Sequence, residues 1–82
     1  MSRDEVLEKV RAHLATELEV EPGRISDATR FREDLDADSL DLYELVMELE
    51  DVYGIKVSEE EAAGIETVGQ AVDFVVEHVP SS

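Results

Sequence analysis

Between Leu42 and Tyr53 the apolar residues fall at Leu42, Leu45, Val46, Leu49, Val52 and Tyr53, that is at i, i+3, i+4, i+7, i+10 and i+11. At about 100° per residue these positions share one side of a helix and neither side of a strand, so the segment is predicted to be an amphipathic helix with that side in the core. Asp38 is a suitable N-cap with Asp41 three residues on, and Gly54 ends the pattern, which places the helix at about Ser39 to Tyr53. The opposite side gathers Asp41, Glu44, Glu48 and Asp51, yet Leu40 and Met47 lie among them one heptad apart. Apolar side chains ringed by carboxylates read as a surface for a partner.

The stretch from Glu33 to Asp51 contains nine acidic residues and no Lys or Arg. Its one serine, Ser39, sits among Asp34, Asp36, Asp38 and Asp41 in the first turn of the predicted helix. There the helix dipole is positive and backbone N–H groups lack intrahelical acceptors, so the position is able to hold a phosphate ester. The alternating aspartates resemble the start of a calcium loop, but Ser39 stands where the sixth position needs Gly, and Leu45 where the twelfth needs a bidentate Glu. No metal site is expected. No His lies near Ser39 in sequence to act as a base and make the serine a nucleophile of this chain.

Three further helices follow from spacing and caps. Ser2-Arg3-Asp4-Glu5 has capping-box form, and Leu7, Val10, Leu14 and Leu18 follow at helical intervals with Val6 flanking, which predicts a helix over about 3–18. Ser58 and Glu61 cap a short helix at about 59–64. Thr67 and Gln70 cap a last one at about 68–79, with a stripe of Val68, Ala71, Val72, Val75, Val76 and Val79 before Pro80. The intervening stretch from Val20 to Ala37 has no sustained period and includes Pro22-Gly23. So long a loop must be pinned, and Val20, Ile25, Phe31 and Leu35 are the expected anchors, with Ile55 and Val57 anchoring the next connection. The fold class is all-α: a small four-helix bundle with a long first loop and a short third helix.

Eighty-two residues suit one domain with one core, here read as residues 1–82. A formal net charge of −15 excludes nucleic acid as a natural ligand and favours basic protein surfaces. Lys and Arg are confined to Arg3, Lys9, Arg11, Arg24, Arg30, Arg32 and Lys56. Absence of cysteine excludes disulfides and thiolate chemistry by the chain itself, so any thiol must arrive on a prosthetic group. With no apolar run of membrane-span length and no signal-peptide pattern, the chain is read as cytoplasmic and as a monomer. His13 and His78 are read as surface residues.

Ala37-Asp38-Ser39-Leu40-Asp41 together with Glu44-Leu45-Val46-Met47 resembles the acyl carrier proteins, and among them the bacterial free-standing type, whose signature is Asp-Ser-Leu at the start of the second helix. The resemblance implies a carrier and not an enzyme. It implies that Ser39, flanked by Asp38 and Leu40, bears 4'-phosphopantetheine moved from coenzyme A by a phosphopantetheinyl transferase. The arm's thiol would then carry acyl chains as thioesters to ketosynthase and other acyl-processing enzymes of fatty acid synthesis. Docking through Asp38, Asp41, Glu44, Met47, Glu48, Glu50 and Asp51 is likewise implied, as is an acyl cavity lined by Phe31, Val46, Leu49, Ile65, Ala71, Phe74 and Val75. Small residues Ala62, Ala63, Gly64, Gly69 and Ala71 leave room for such a cavity. Three positions depart from the family pattern: Asp36 where Gly is usual, Tyr43 where the residue is commonly smaller, and Glu48 where a small residue is common. They bear on which partners and chain lengths are preferred. The competing readings are a carrier dedicated to polyketide or other specialised synthesis and, from another class, an acidic helical adaptor without a prosthetic group.

Overall fold

The computed structural model describes residues 2–79 and is built of α-helices: α1 (Arg3–Leu18), α2 (Ser39–Tyr53), α3 (Glu59–Ala63) and α4 (Val68–His78), with a short 3-10 turn at Pro22–Arg24 in the first loop. Each boundary lies within a residue of the sequence expectation, and the caps explain why. Asp38, Ser58 and Thr67 each accept a hydrogen bond from the backbone N–H three residues on, while the side chains of Asp41, Glu61 and Gln70 reach back to the capping residue's own N–H. At α1, Ser2 Oγ accepts from the Glu5 N–H. The expected stop at Pro80 lies outside the described residues.

Helix α1 packs chiefly on α4, α2 packs on α1, and α3 leans on α2. Their shared core consists of Val6, Val10 and Leu14 from α1, Leu45 and Leu49 from α2, and Val68, Ala71, Val72 and Val75 from α4. The stripe on α1 is rotated from the expected one: Val6 is fully buried while Leu7 and Leu18 are only half-buried. Val52 and Val76 belong to no core face, being 46% and 40% exposed. His13 is half-buried rather than on the surface, with its Nε2 enclosed and without a hydrogen-bond partner among the described residues.

The long loop is pinned, as its length requires. Ile25 and Phe31 are buried, with Val20 and Leu35 packed half-buried against the core. Its backbone is also tied to α4: the N–H groups of Val68 and Gly69 donate to the carbonyls of Thr29 and Asp27, each at 2.9 Å, and the Phe31 N–H donates to Glu66 O at 3.1 Å. Buried Thr29 accepts the Ser26 N–H through Oγ1 at 2.8 Å, closing the turn before this ladder. From Phe31 the chain turns tightly, since the Phe31 carbonyl accepts the Ala37 N–H at 2.9 Å and buried Ala37 leads directly into the α2 cap. The turn passes through Asp36 at φ 57, the left-handed region that Gly usually fills and that Asp tolerates better than most side chains.

Gly69 does not leave space for a cavity, because a Cβ there would lie 2.9 Å from the Asp27 carbonyl oxygen and 3.3 Å from its Cβ. The missing side chain is what lets the loop backbone close onto α4. Gly69→Ala is therefore expected to cost about 2 kcal/mol, since the contact is with backbone that cannot swing aside, or roughly 10 °C in Tm for a domain of this size. Gly64→Ala, whose Cβ would sit an ordinary 3.5 Å from its nearest neighbour, should change Tm little. Thermal unfolding monitored by circular dichroism compares the two, and equal Tm values would refute the close-approach role.

Candidate functional site

Ser39 is the first residue of α2 and its side chain is exposed. The α2 cap uses the Asp41 N–H, which donates to Asp38 Oδ1 at 3.0 Å, and the Leu42 N–H donates to Asp38 O. The N–H groups of Ser39 and Leu40 remain as the outward donors of this helix end, where negative charge is favoured by about 0.3–1 kcal/mol. Two of the alternating aspartates are committed to backbone: Asp34 Oδ2 accepts the Arg30 N–H at 2.8 Å and Asp38 caps α2, so these two act as turn and cap residues. The side-chain partner of the Ser39 hydroxyl is Arg32, whose Nη2 donates to Oγ across 3.4 Å. A guanidinium has no site to accept a proton, so nothing in this contact activates the serine as a nucleophile.

Beside Ser39 a small cavity of about 150 Å³ opens between α2 and α3. Leu42, Val46, Ala62 and Ala63 supply its apolar wall, and Arg32, Tyr43 and Glu59 its rim. The Tyr43 hydroxyl reaches toward Glu59 Oε1 at 3.5 Å, linking α2 to α3. Of the expected acyl-cavity residues only Val46 lines this opening. Phe31, Leu49, Ala71 and Val75 are buried in the core, and Ile65 and Phe74 are half-buried against it. Phe74 also stacks on His78, with ring centroids 3.9 Å apart. Helix α3 contributes no buried residue, which makes it the element that moves most easily away from α2.

Along α2, Leu40 and Met47 are 65% and 63% exposed, so the apolar pair expected on the acidic side does face outward. The carboxylates around them divide into two groups. Asp41 holds the Asp38 N–H, Glu48 pairs with Lys9 of α1 at 3.6 Å, and Glu50 accepts the Val57 N–H at 2.9 Å. Glu44 and Asp51 are exposed and have no cationic partner among the described residues.

Helix α1 adds a contribution that the periodicity of α2 alone does not disclose. Glu17 brings its carboxylate to those of Asp41 and Glu44, with one oxygen from each all lying within 4.8 Å of one another. His13 and Glu17 share with Glu44, Met47 and Asp51 the walls of an open groove between the two helices. Crowding by the Glu17 carboxylate, a hydrogen bond with it and partial loss of solvent hold the Glu44 carboxyl above its ordinary value; Asp41 adds a smaller repulsion, and His13 opposes the shift weakly. Arg32 and Glu17 thus join the site without having been singled out in the sequence, as does His13, which the sequence reading placed on the surface. Arg32 lies in an aperiodic loop, and which side of α1 meets α2 depends on packing that no local pattern encodes.

Comparison with known proteins agrees with this geometry. Residues 8–75 match the family described as the phosphopantetheine attachment site. The acyl carrier protein of Rubrobacter xylanophilus is 50% identical over 78 residues, covering 95% of this chain and 96% of that one. That of Lactobacillus acidophilus is 41% identical over 78 residues, covering 95% and 98%. An acyl carrier protein from Enterococcus faecalis, solved in a study of its high thermal stability, superimposes with a TM-score of 0.82 at 42% identity, covering 95% of this chain and 99% of that one. A small all-α bundle is therefore the shared framework. The chain belongs to the acyl carrier proteins, which are carriers and not enzymes, act with acyl-processing enzymes and acyl chains, and hold a covalent phosphopantetheine group.

The acidic groove carries a pH signature. The folded state binds the Glu44 proton more tightly than the unfolded chain does, so the stability linked to that proton is fully present below the ordinary value of 4.5 and lost as pH rises through the elevated folded value. Glu17→Gln removes the principal source of the repulsion. It is expected to raise Tm at pH 7 and to have less effect at pH 4, where Glu44 holds its proton; an equal gain at both pH values would contradict this assignment.

Proposed function

We propose that Ser39 is the attachment point of the phosphopantetheine arm and that the chain serves fatty acid synthesis, presenting acyl chains as thioesters to successive enzymes. The observation that carries this reading is the exposure of Ser39 at the capped N-terminus of α2, directly beside the opening between α2 and α3. In the loading step a phosphopantetheinyl transferase supplies the base that this chain lacks. The Ser39 Oγ–phosphorus bond forms as the diphosphate link of coenzyme A breaks, the adenosine bisphosphate half departs as the leaving group, and the hydroxyl proton leaves to that base. The Ser39 and Leu40 N–H groups face the new negative charge. Once bound, the arm supplies a thiol on which acyl groups are held as thioesters.

The remaining parts of the site follow from where charge and exposed apolar area lie. Glu44 and Asp51, with Met47 between them and Leu40 beside Ser39, form the surface that basic patches of the transferase, ketosynthase and other partners grasp. Carboxylates speed encounter and the apolar side chains make the short-range contact. Asp41, Glu48 and Glu50 contribute charge while committed to partners within the chain. An acyl chain enters beside Val46, and reaches Leu49, Ile65, Phe74 and the deeper Phe31, Ala71 and Val75 as α3 yields. The chain acts as a single monomeric domain in the cytoplasm, a location compatible with its having no helix among the described residues long and apolar enough to cross a membrane.

Co-expression with a phosphopantetheinyl transferase, read by intact mass, tests the proposal. The wild type should gain one arm and Ser39→Ala none, while Glu44→Lys and Met47→Ala should be loaded several-fold more slowly at limiting carrier concentration with unchanged folding. An unmodified wild type or a loaded Ser39→Ala would overturn the attachment site. Unchanged loading of both docking variants at low salt would overturn the docking surface.

A further inference from the structure

Among the described residues Arg24, Arg32 and Lys56 have no carboxylate within ion-pair distance. Of the three, Arg32 is the one whose side chain reaches the Ser39 hydroxyl, and its neighbours explain how it stays without a carboxylate. The two carboxylates that follow it in sequence are both taken by Arg30: Glu33 pairs with the Arg30 guanidinium, and Asp34 accepts the Arg30 backbone N–H at 2.8 Å. Among the described residues no carboxylate lies within ion-pair distance of Arg32. Its guanidinium turns instead to the Ser39 hydroxyl, across 3.4 Å.

The placement is held from the backbone upward. Phe31, the residue before Arg32, is fully buried, with its N–H bound to Glu66 O and its carbonyl bound to the Ala37 N–H. Both ends of the turn that separates Arg32 from Ser39 are therefore anchored, and the two side chains meet at the rim of the same cavity. A neutral hydroxyl gains little from a guanidinium at that distance. A phosphodiester carries a full negative charge with free oxygens two bonds beyond Oγ, and guanidinium–phosphate pairing is charge-assisted and can be bidentate. Close to Asp36 and Asp38, an added anion is otherwise repelled.

We infer that Arg32 is a phosphate-positioning residue: its guanidinium pairs with the phosphodiester formed on Ser39 and fixes the root of the arm over the opening between α2 and α3. This rests on Ser39 being the attachment point. The pairing neither drives loading nor stabilises the unloaded fold; it acts on the loaded carrier by restricting the direction in which the arm leaves the helix. Lysine can supply the charge but not the fork, so Arg32→Lys should retain only part of the effect.

The test uses the ¹⁵N-labelled full-length chain before and after loading with coenzyme A and a phosphopantetheinyl transferase. On loading, the Arg32 Nε–H resonance of the wild type should shift and its solvent exchange should slow several-fold. The ³¹P resonance of the loaded Arg32→Gln variant should differ from that of the wild type, with Arg32→Lys between them. Unloaded Arg32→Gln should keep the wild-type Tm, because the side chain is exposed and lies outside the core. Unchanged Arg32 signals on loading, together with identical ³¹P shifts in wild type and Arg32→Gln, would overturn the inference while leaving the attachment site standing. A mass gain that survives Ser39→Ala would overturn both.

Discussion

The N–H groups of Val68 and Gly69 sit at the start of α4, where no carbonyl of their own helix can reach them, and they donate to the loop carbonyls of Thr29 and Asp27. Those two bonds, with the return bond from the Phe31 N–H to Glu66, join an otherwise irregular segment to a helix near the other end of the chain. Burial of the Phe31 ring and the close approach at Gly69 fix the same junction from its apolar side. Everything that places Ser39 follows from it: the turn from Phe31 to Ala37, the left-handed Asp36, the Asp38 cap and the direction in which α2 departs.

A second constraint works against stability. Glu17, Asp41 and Glu44 are brought together across the α1–α2 seam with no cation among them, although Lys9 nearby is paired with Glu48. In a small domain whose total stability is only several kcal/mol, such repulsion is a substantial loss. The unpaired carboxylates are accounted for by the proposed docking role, since an internal cation would remove the charge that attracts a basic partner. The same logic separates Glu44 and Asp51, which are available to a partner, from Glu48 and Glu50, which already hold Lys9 and the Val57 N–H.

Local chemistry was the legible part of this sequence. Asp38, Ser58 and Thr67 announce the starts of α2, α3 and α4 because a cap and its partner lie three residues apart, and Ser39 stands out because it follows one of them amid aspartates. The left-handed turn at Asp36 is legible too, as one of few side chains that tolerate the conformation. What could not be read depends on contacts between distant residues. Val52 and Val76 fit the helical period yet face solvent, which their spacing alone does not disclose. Gly69 resembled spare volume until the loop backbone was seen filling it. Arg32 gains meaning only when a turn returns it to Ser39, and Glu17 only when α1 lies against α2.

The account's central claim is that the loop and α4 form one cooperative unit that holds Ser39 in place. Amide hydrogen exchange at Phe31, Val68 and Gly69 measures this most directly, because those are the donors that cross the junction. If the claim is right, all three exchange only through global unfolding, with the same opening free energy as core amides of α1 such as Leu14. Exchange at the rate of the exposed loop, while α1 and α4 remain protected, would show that the junction opens independently and would contradict it.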